Sequence, residues 1–313
     1  MTRRAGAETV QIVDAHCHMW DLSLGKHPWL AEGVLHPHRY GDYSAVKRDY
    51  LPADYRAAIR PWTIAAAIHM EAEWTPDDPL GEARWIADLH AKTGFPAAMT
   101  AQVWLDRPEA QDLIAAQAAF PLVRSLRHKP RAFARAADWH EGHELPGSMR
   151  CPDFRRGYAG LAAHGLHFEL QTPFWHLPDA AELARDFPDT MIVINHAGVP
   201  GSRDPAVLAQ WRRALSVAAA RPNIRIKVSG LGVPGEAWTT EAQREVILTC
   251  IETFGAGRAM FASNMPVDGM FRSFPDLIAD FMAVTSDLPE ADRRAFFAGT
   301  AADTYGLDLP GLT

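Results

Sequence analysis

His16 and His18 stand two residues apart in the run Val13-Asp14-Ala15-His16-Cys17-His18. In an extended strand, residues at that spacing project to one face. Both imidazoles could therefore converge on one metal ion or one substrate, and imidazole nitrogen is a good zinc ligand. The same spacing also arises from two incidental histidines near a strand end, because His-x-His alone is a weak motif. His196 is a second candidate. It ends Ile192-Val193-Ile194-Asn195-His196-Ala197-Gly198, an apolar run of the kind found in strands buried on both faces, emptying into small residues. The third is Met260-Phe261-Ala262-Ser263-Asn264-Met265-Pro266-Val267-Asp268. Here Pro266 stops an apolar strand and Asn264 and Asp268 follow its end. A carboxylate near two or three histidines suits a ligand or a general base. The plainer alternative is a turn in which Asn and Asp satisfy backbone groups.

Other side chains could contribute from neighbouring strands. In Ile68-His69-Met70-Glu71, alternation gives His69 and Glu71 a common face, from which they could line a pocket. In His167-Phe168-Glu169-Leu170-Gln171 it separates Phe168 and Leu170 from His167, Glu169 and Gln171, which makes Glu169 the expected inward carboxylate. A guanidinium can hold a carboxylate bidentately. Arg127, with His128 beside it, is therefore expected to orient an anionic or polyhydroxyl ring, and a surface ion pair is the alternative. Trp20, Trp29, Trp62 and Trp74 either wall the pocket or pack core and rim. Lys227 is expected to be structural or to lie at the pocket floor.

Such residues need a frame that brings strand ends together. Eight short apolar or β-branched runs recur along the chain: Gln11–His18, Thr63–Met70, Ala97–Leu105, Pro121–His128, His167–Gln171, Met191–Ala197, Ile224–Gly230 and Ala259–Met265. Helical patterns lie between most of them, at Leu80–Ala91, Pro108–Ala119, Asp179–Asp186, Asp204–Ala220 and Thr239–Phe254. Pro108 suits a first helical turn, and Thr239 or Thr240 an N-cap. This alternation predicts a single α/β domain folded as a (β/α)8 barrel, in which polar residues at strand ends read as catalytic. An open doubly wound sheet would carry a Gly-rich phosphate loop after an early strand, whereas this chain has Met19-Trp20-Asp21-Leu22 there. Two irregular stretches, Asp21 to Asp54 and Trp139 to Asp153, follow strands and are expected on the catalytic face.

The opening Asp14-Ala15-His16-Cys17-His18-Met19-Trp20-Asp21 resembles the amidohydrolase-related, predicted metal-dependent barrel hydrolases, the group that includes sugar lactonases and 2-pyrone-4,6-dicarboxylate lactonase. The likeness continues through Leu126-Arg127-His128-Lys129-Pro130, Phe168-Glu169-Leu170-Gln171, Asn195-His196-Ala197-Gly198, Lys227-Val228-Ser229-Gly230-Leu231, Phe261-Ala262-Ser263-Asn264-Met265-Pro266 and the ending Phe297 to Tyr305. It implies a distorted barrel and hydrolysis, often of lactone C–O bonds. It makes His16, His18 and His196 the counterparts of residues that hold metal or polarise a carbonyl. One divalent ion, Zn or Mn, is implied, and metal-independent hydrolysis is also known in this branch. The wider family has Asp where this chain has Asn264, and that Asp takes the proton of the attacking water. An amide is not a base at neutral pH. Either Asp268 takes the role, the reaction differs, or activity is lost. A decarboxylase and a non-catalytic ligand-binding barrel are the competing readings.

The net charge of -7, without a long run of either sign, argues against nucleic acid or anionic membrane as partner and leaves a small molecule. The resemblance admits a homodimer. Three scattered cysteines make no disulfide framework. With no secretory leader and no membrane-length apolar run, the expected compartment is the cytoplasm.

Overall fold

The computed structural model describes residues 10–311. Eight parallel strands form one sheet in sequence order: β1 Val13–Cys17, β2 Ala66–Met70, β3 Ala98–Gln102, β4 Val123–His128, β5 His167–Leu170, β6 Ile192–Ile194, β7 Ile224–Val228 and β8 Ala259–Phe261. The ends of the sheet meet beyond β8. His18 N donates to Met265 O and Asn264 N to His16 O, both at 2.7 Å, which draws the sheet into a nearly closed barrel. All eight expected runs contain a strand. The strands are shorter than those runs because the polar ends have left the ladder, and those ends are where the candidate site residues lie.

Helices follow the strands: α1 Pro52–Ala58, α2 Gly81–Thr93, α3 Ala110–Ala118, α4 Pro152–Tyr158, α5 Leu177–Asp186, α6 Pro205–Ala219, α7 Thr240–Phe254 and α8 Phe274–Val284. Capping follows local chemistry. Asp204 accepts from Ala206 N and Val207 N, and Thr239 accepts from Ala242 N. Pro108 lies outside its helix, which starts two residues later behind Glu109. Among the described residues, no helix is long and apolar enough to cross a membrane.

Alternation divides each strand between two cores. Phe168, Leu170, Ile192, Ile194, Ile226 and Val228 face the helices, whereas Val13, Ala15, Ile68, Ala98, Val193 and Met260 fill the barrel interior. The last helix, Thr300–Tyr305, helps close the interior from below, where Ala301 and Tyr305 join this inner cluster. Asp14 fastens the seam. Its buried carboxylate accepts from Ser263 N and Oγ (2.8 and 2.6 Å) and from Tyr55 (2.8 Å), tying β1 to the end of β8 and to α1.

Candidate active site

Between Asp14 and Cys17 the register of β1 against β2 slips. His16 and His18 nevertheless meet: their Nε2 atoms are 3.3 Å apart. His18 Nδ1 donates to Met70 O at 2.9 Å, which leaves Nε2 as its lone-pair nitrogen. Trp20 is fully buried, stacks behind His18 at 6.1 Å between centroids, and donates to Arg48 O. It supports the histidine and does not face the cavity.

His196 joins them from β6, its ring centroid 4.6 Å from that of His16. Its backbone is left-handed (φ 55°), as are Ala197 and Val199, a conformation uncommon outside glycine that concentrates at functional sites. His196 Nδ1 shares a hydrogen bond with Ser229 Oγ at 3.0 Å. Burial pushes all three imidazoles well below their ordinary range. The next contributions are His196 and Lys227 for His16, Arg127 and His69 for His18, and Arg39 and Arg127 for His196. At neutral pH each therefore offers a lone pair rather than a charge.

Asn264, also left-handed (φ 56°), presents its side chain from the end of β8. Its amide nitrogen donates to Asp268 Oδ1 (2.8 Å) and to the Tyr40 hydroxyl (3.2 Å). Asp268 accepts from Gly230 N on its other oxygen at 2.8 Å. Burial raises its carboxyl to about 6 against those hydrogen bonds. Both of its oxygens are engaged and it does not line the cavity, so it orients Asn264 from behind.

An inner chamber of about 50 Å³ is bounded by His18, His196, Asn264, Arg39, Tyr40, Arg127, Lys129 and Gln171. It adjoins a cleft of about 430 Å³ walled by Trp29, Trp74, Trp104 and His128, and Glu71, Glu73 and Arg127 also line this cleft. Arg127 points inward as expected but is already engaged. Nε meets Glu71 Oε1 at 2.5 Å, Nη2 meets Glu71 O at 2.6 Å, and only Nη1 reaches Gln171, at 3.5 Å. Lys129 pairs with Glu73. His128 cannot share the inward face with Arg127, one residue before it. It turns outward against Phe154, accepts from Leu105 N, and touches only the outer cleft.

His69 and Glu71 do not share a face. His69 lies under α2, 3.1 Å from Glu82, which also accepts from Ala72 N. The chain leaves the strand at Met70, alternation ends there, and Glu71 swings to Arg127. Glu169 is inward but lies below the chamber, 3.0 Å from Lys227 Nζ and in contact with Asn195 and Tyr305. Trp62 is bonded to Pro275 O and does not line the chamber or its cleft.

The long loop after β1 supplies Trp29, one of the candidate wall residues, together with Arg39 and Tyr40, which no local pattern marks. The stretch after β4 plays a different part. His176 Nε2 accepts from Phe133 N, so its Nδ1 carries the proton and donates to Asp179 Oδ2 at 2.7 Å. His143 Nε2 meets the same oxygen at 2.9 Å, Trp139 adds a bond at 3.3 Å, and Arg150 lies 3.5 Å from Oδ1. His143, His176 and Asp179 are of metal-ligating type, and among the described residues they alone form such a triad within 4.8 Å. Their ligand atoms are spent on one another and a guanidinium adjoins them, so the group is a brace holding this loop to α5.

Whether the histidine site fits a metal can be tested by distance. Two imidazole nitrogens on one tetrahedral zinc, each about 2.0–2.1 Å from it, lie about 3.3–3.4 Å apart. The His16–His18 pair has that spacing. His196 does not come close enough to make a compact triad with them, and Asn264 offers a neutral amide where a carboxylate would bind more strongly.

The amidohydrolase family matches residues 13–307. The chain is 34% identical to the uncharacterised protein y4mH of Sinorhizobium fredii, over 95% of this chain and 98% of that one. It is 26% identical to an L-fucono-1,5-lactonase of Burkholderia multivorans, over 95% and 97%. Among solved structures, it is similar to an amidohydrolase of Burkholderia multivorans with bound zinc, with a TM-score of 0.76, 25% identity, and coverage of 95% of this chain and 100% of that one. The barrel, the convergent strand-end histidines and the match along nearly the whole chain lead to one conclusion: this chain belongs to the amidohydrolase family and is a hydrolase.

Proposed function

We propose that the enzyme hydrolyses the ring ester of a small sugar-derived lactone. The observation that carries this reading is the meeting of three buried, neutral imidazoles at one barrel mouth, two of which, His18 and His196, face a chamber edged by Arg39, Arg127 and Lys129. The inner chamber has room for an ester group but not for a whole ring, given that one water takes about 30 Å³ of liquid. The ring would therefore lie in the outer cleft against Trp29, Trp74 and Trp104, whose volume suits a small ligand. The similarity to an L-fucono-1,5-lactonase supports a sugar-derived ring.

We assign the general base to His196. Asp268 is turned away with both oxygens occupied, and Asn264 has no basic atom. His16 and His18 would hold one divalent ion, Zn or Mn, which when bound would polarise the ester carbonyl. The residues around that pair orient the ester and exclude bulk water.

The test is a panel of aldono-1,4- and 1,5-lactones and a carboxylated pyrone lactone, followed by acid release at constant pH. Turnover of the sugar lactones above background is expected, with about one divalent ion per chain by elemental analysis. Chelator dialysis should abolish turnover and added Zn or Mn should restore it. A panel with no turnover in metal-replete protein would overturn the lactonase reading. Full turnover in metal-free protein would overturn the metal assignment alone.

Gly230 offers a second check. It is left-handed (φ 63°), and a Cβ there would lie 2.4 Å from Arg39 Nη2 and 2.6 Å from His196 Nδ1. Gly230→Ala is expected to displace both groups and lower kcat/KM by on the order of 10²-fold, with circular dichroism unchanged. Unchanged kinetics would separate these groups from turnover.

A further inference from the structure

Three cationic side chains face the inner chamber, and their pairing differs. Arg127 is neutralised by Glu71 and Lys129 by Glu73. Arg39 has no carboxylate within 4.0 Å among the described residues. Its hydrogen bonds go to the Tyr40 hydroxyl and, at 3.3 Å, to Gly230 O, and it stacks over the Tyr40 ring at 4.2 Å. The nearby Asp268 carboxylate is occupied by Asn264 and Gly230.

Position adds to this. Arg39 Nη2 and His196 Nδ1 both crowd the space over Gly230 Cα, and Arg39, His196 and Asn264 line the same chamber wall. After burial, Arg39 is the largest influence keeping His196 uncharged. A half-buried guanidinium with no carboxylate paired directly to it, beside a neutral base and open to a chamber too small for a ring, is suited to a single negatively charged oxygen.

We infer that Arg39 stabilises the negative charge that develops on the ester carbonyl oxygen during hydrolysis, and that it then holds the carboxylate of the product. This inference rests on the lactonase reading above. As the oxygen of water bonds to the carbonyl carbon, the carbonyl π pair moves onto its oxygen, beside Arg39, and the water proton passes to His196. The ring C–O bond then breaks, the carbonyl reforms, and His196 returns the proton to the departing ring oxygen. The product is an open-chain hydroxy acid, whose carboxyl releases its remaining proton to solvent to become the carboxylate, with no change in oxidation state.

Two measurements separate this inference from the reading it depends on. In steady-state kinetics, Arg39→Met should lower kcat by about 10²-fold or more with KM changed by less than about threefold, since the group acts mainly as charge develops. Arg39→Lys should recover part of the loss, and millimolar guanidinium should partly restore turnover to Arg39→Ala. In calorimetry, D-gluconate, as a hydroxy-acid probe, should bind the wild type and bind Arg39→Met at least tenfold more weakly. If the wild type turns lactones over and Arg39→Met matches it, or loses only in KM, the inference falls and the lactonase reading stands. If no lactone is turned over but gluconate binding depends on Arg39, the lactonase reading falls and the anion site stands. Gluconate binding of equal strength in both proteins would overturn the anion site.

Discussion

His196→Asn is expected to lower kcat/KM for the best lactone by about 10³-fold, within the usual range for loss of a general base. Asparagine suits this position because it tolerates the left-handed backbone that His196 adopts. The change should therefore remove the imidazole without distorting the strand end. Because His196 is buried and bonded to Ser229, denaturation should show a stability loss of about 0.5–3 kcal/mol, the usual range for a single substitution, with the protein still folded. Burial, Arg39 and Arg127 hold this imidazole below its ordinary value. In the wild type, the acid limb of kcat/KM that reports His196 should accordingly lie below pH 6.5, the ordinary imidazole value. Retention of wild-type kcat/KM by His196→Asn would remove His196 from the chemistry.

Lys227→Met is expected to cause the largest loss of stability, about 3–5 kcal/mol, the usual cost of breaking a buried ion pair from one side. Lys227 and Glu169 are fully buried inside the barrel, 3.0 Å apart. Removing the ammonium would strand a carboxylate that has only Asn195, Tyr305 and His167 for company. The double variant Lys227→Met/Glu169→Leu should recover most of the loss, because neither charge is then left unpaired. Although burial pushes the Glu169 carboxyl up, Lys227 and the hydrogen bonds to His167 and Tyr305 bring it to about 2, below its ordinary 4.5. A carboxyl lowered by folding contributes its stability in full above pH 4.5, and that contribution is lost as pH falls toward 2. The wild type should accordingly lose stability across that window, and the double variant should lose less. A single variant as stable as wild type would mean that the pair does not hold the barrel together.

Much of this was legible in the order of residues. The strand runs could be found because buried parallel strands are apolar for several residues and must be separated by helices. The inward face of β5 followed from alternation alone, and Glu169 lies on it. The same rule misplaced His69 relative to Glu71, because alternation holds only while the strand continues, and β2 ends between them at Met70. For Arg127 and His128, adjacency along the chain meant opposite faces, not a shared task.

The sequence by itself determined the barrel and the three histidines, since both depend on short-range periodicity and on the side chains that must emerge where a buried strand ends. The tertiary structure decided how these residues are used. That Asp268 stands behind Asn264, that Arg127 is spent on Glu71 while Arg39 has no carboxylate partner, and that His143 braces a loop are all outcomes of pairings between residues 30 or more positions apart, apart from Asp268 and Asn264. Which partner a charge or a proton finds depends on distances set only when the loops pack over the barrel mouth, and no local pattern of residues carries that information.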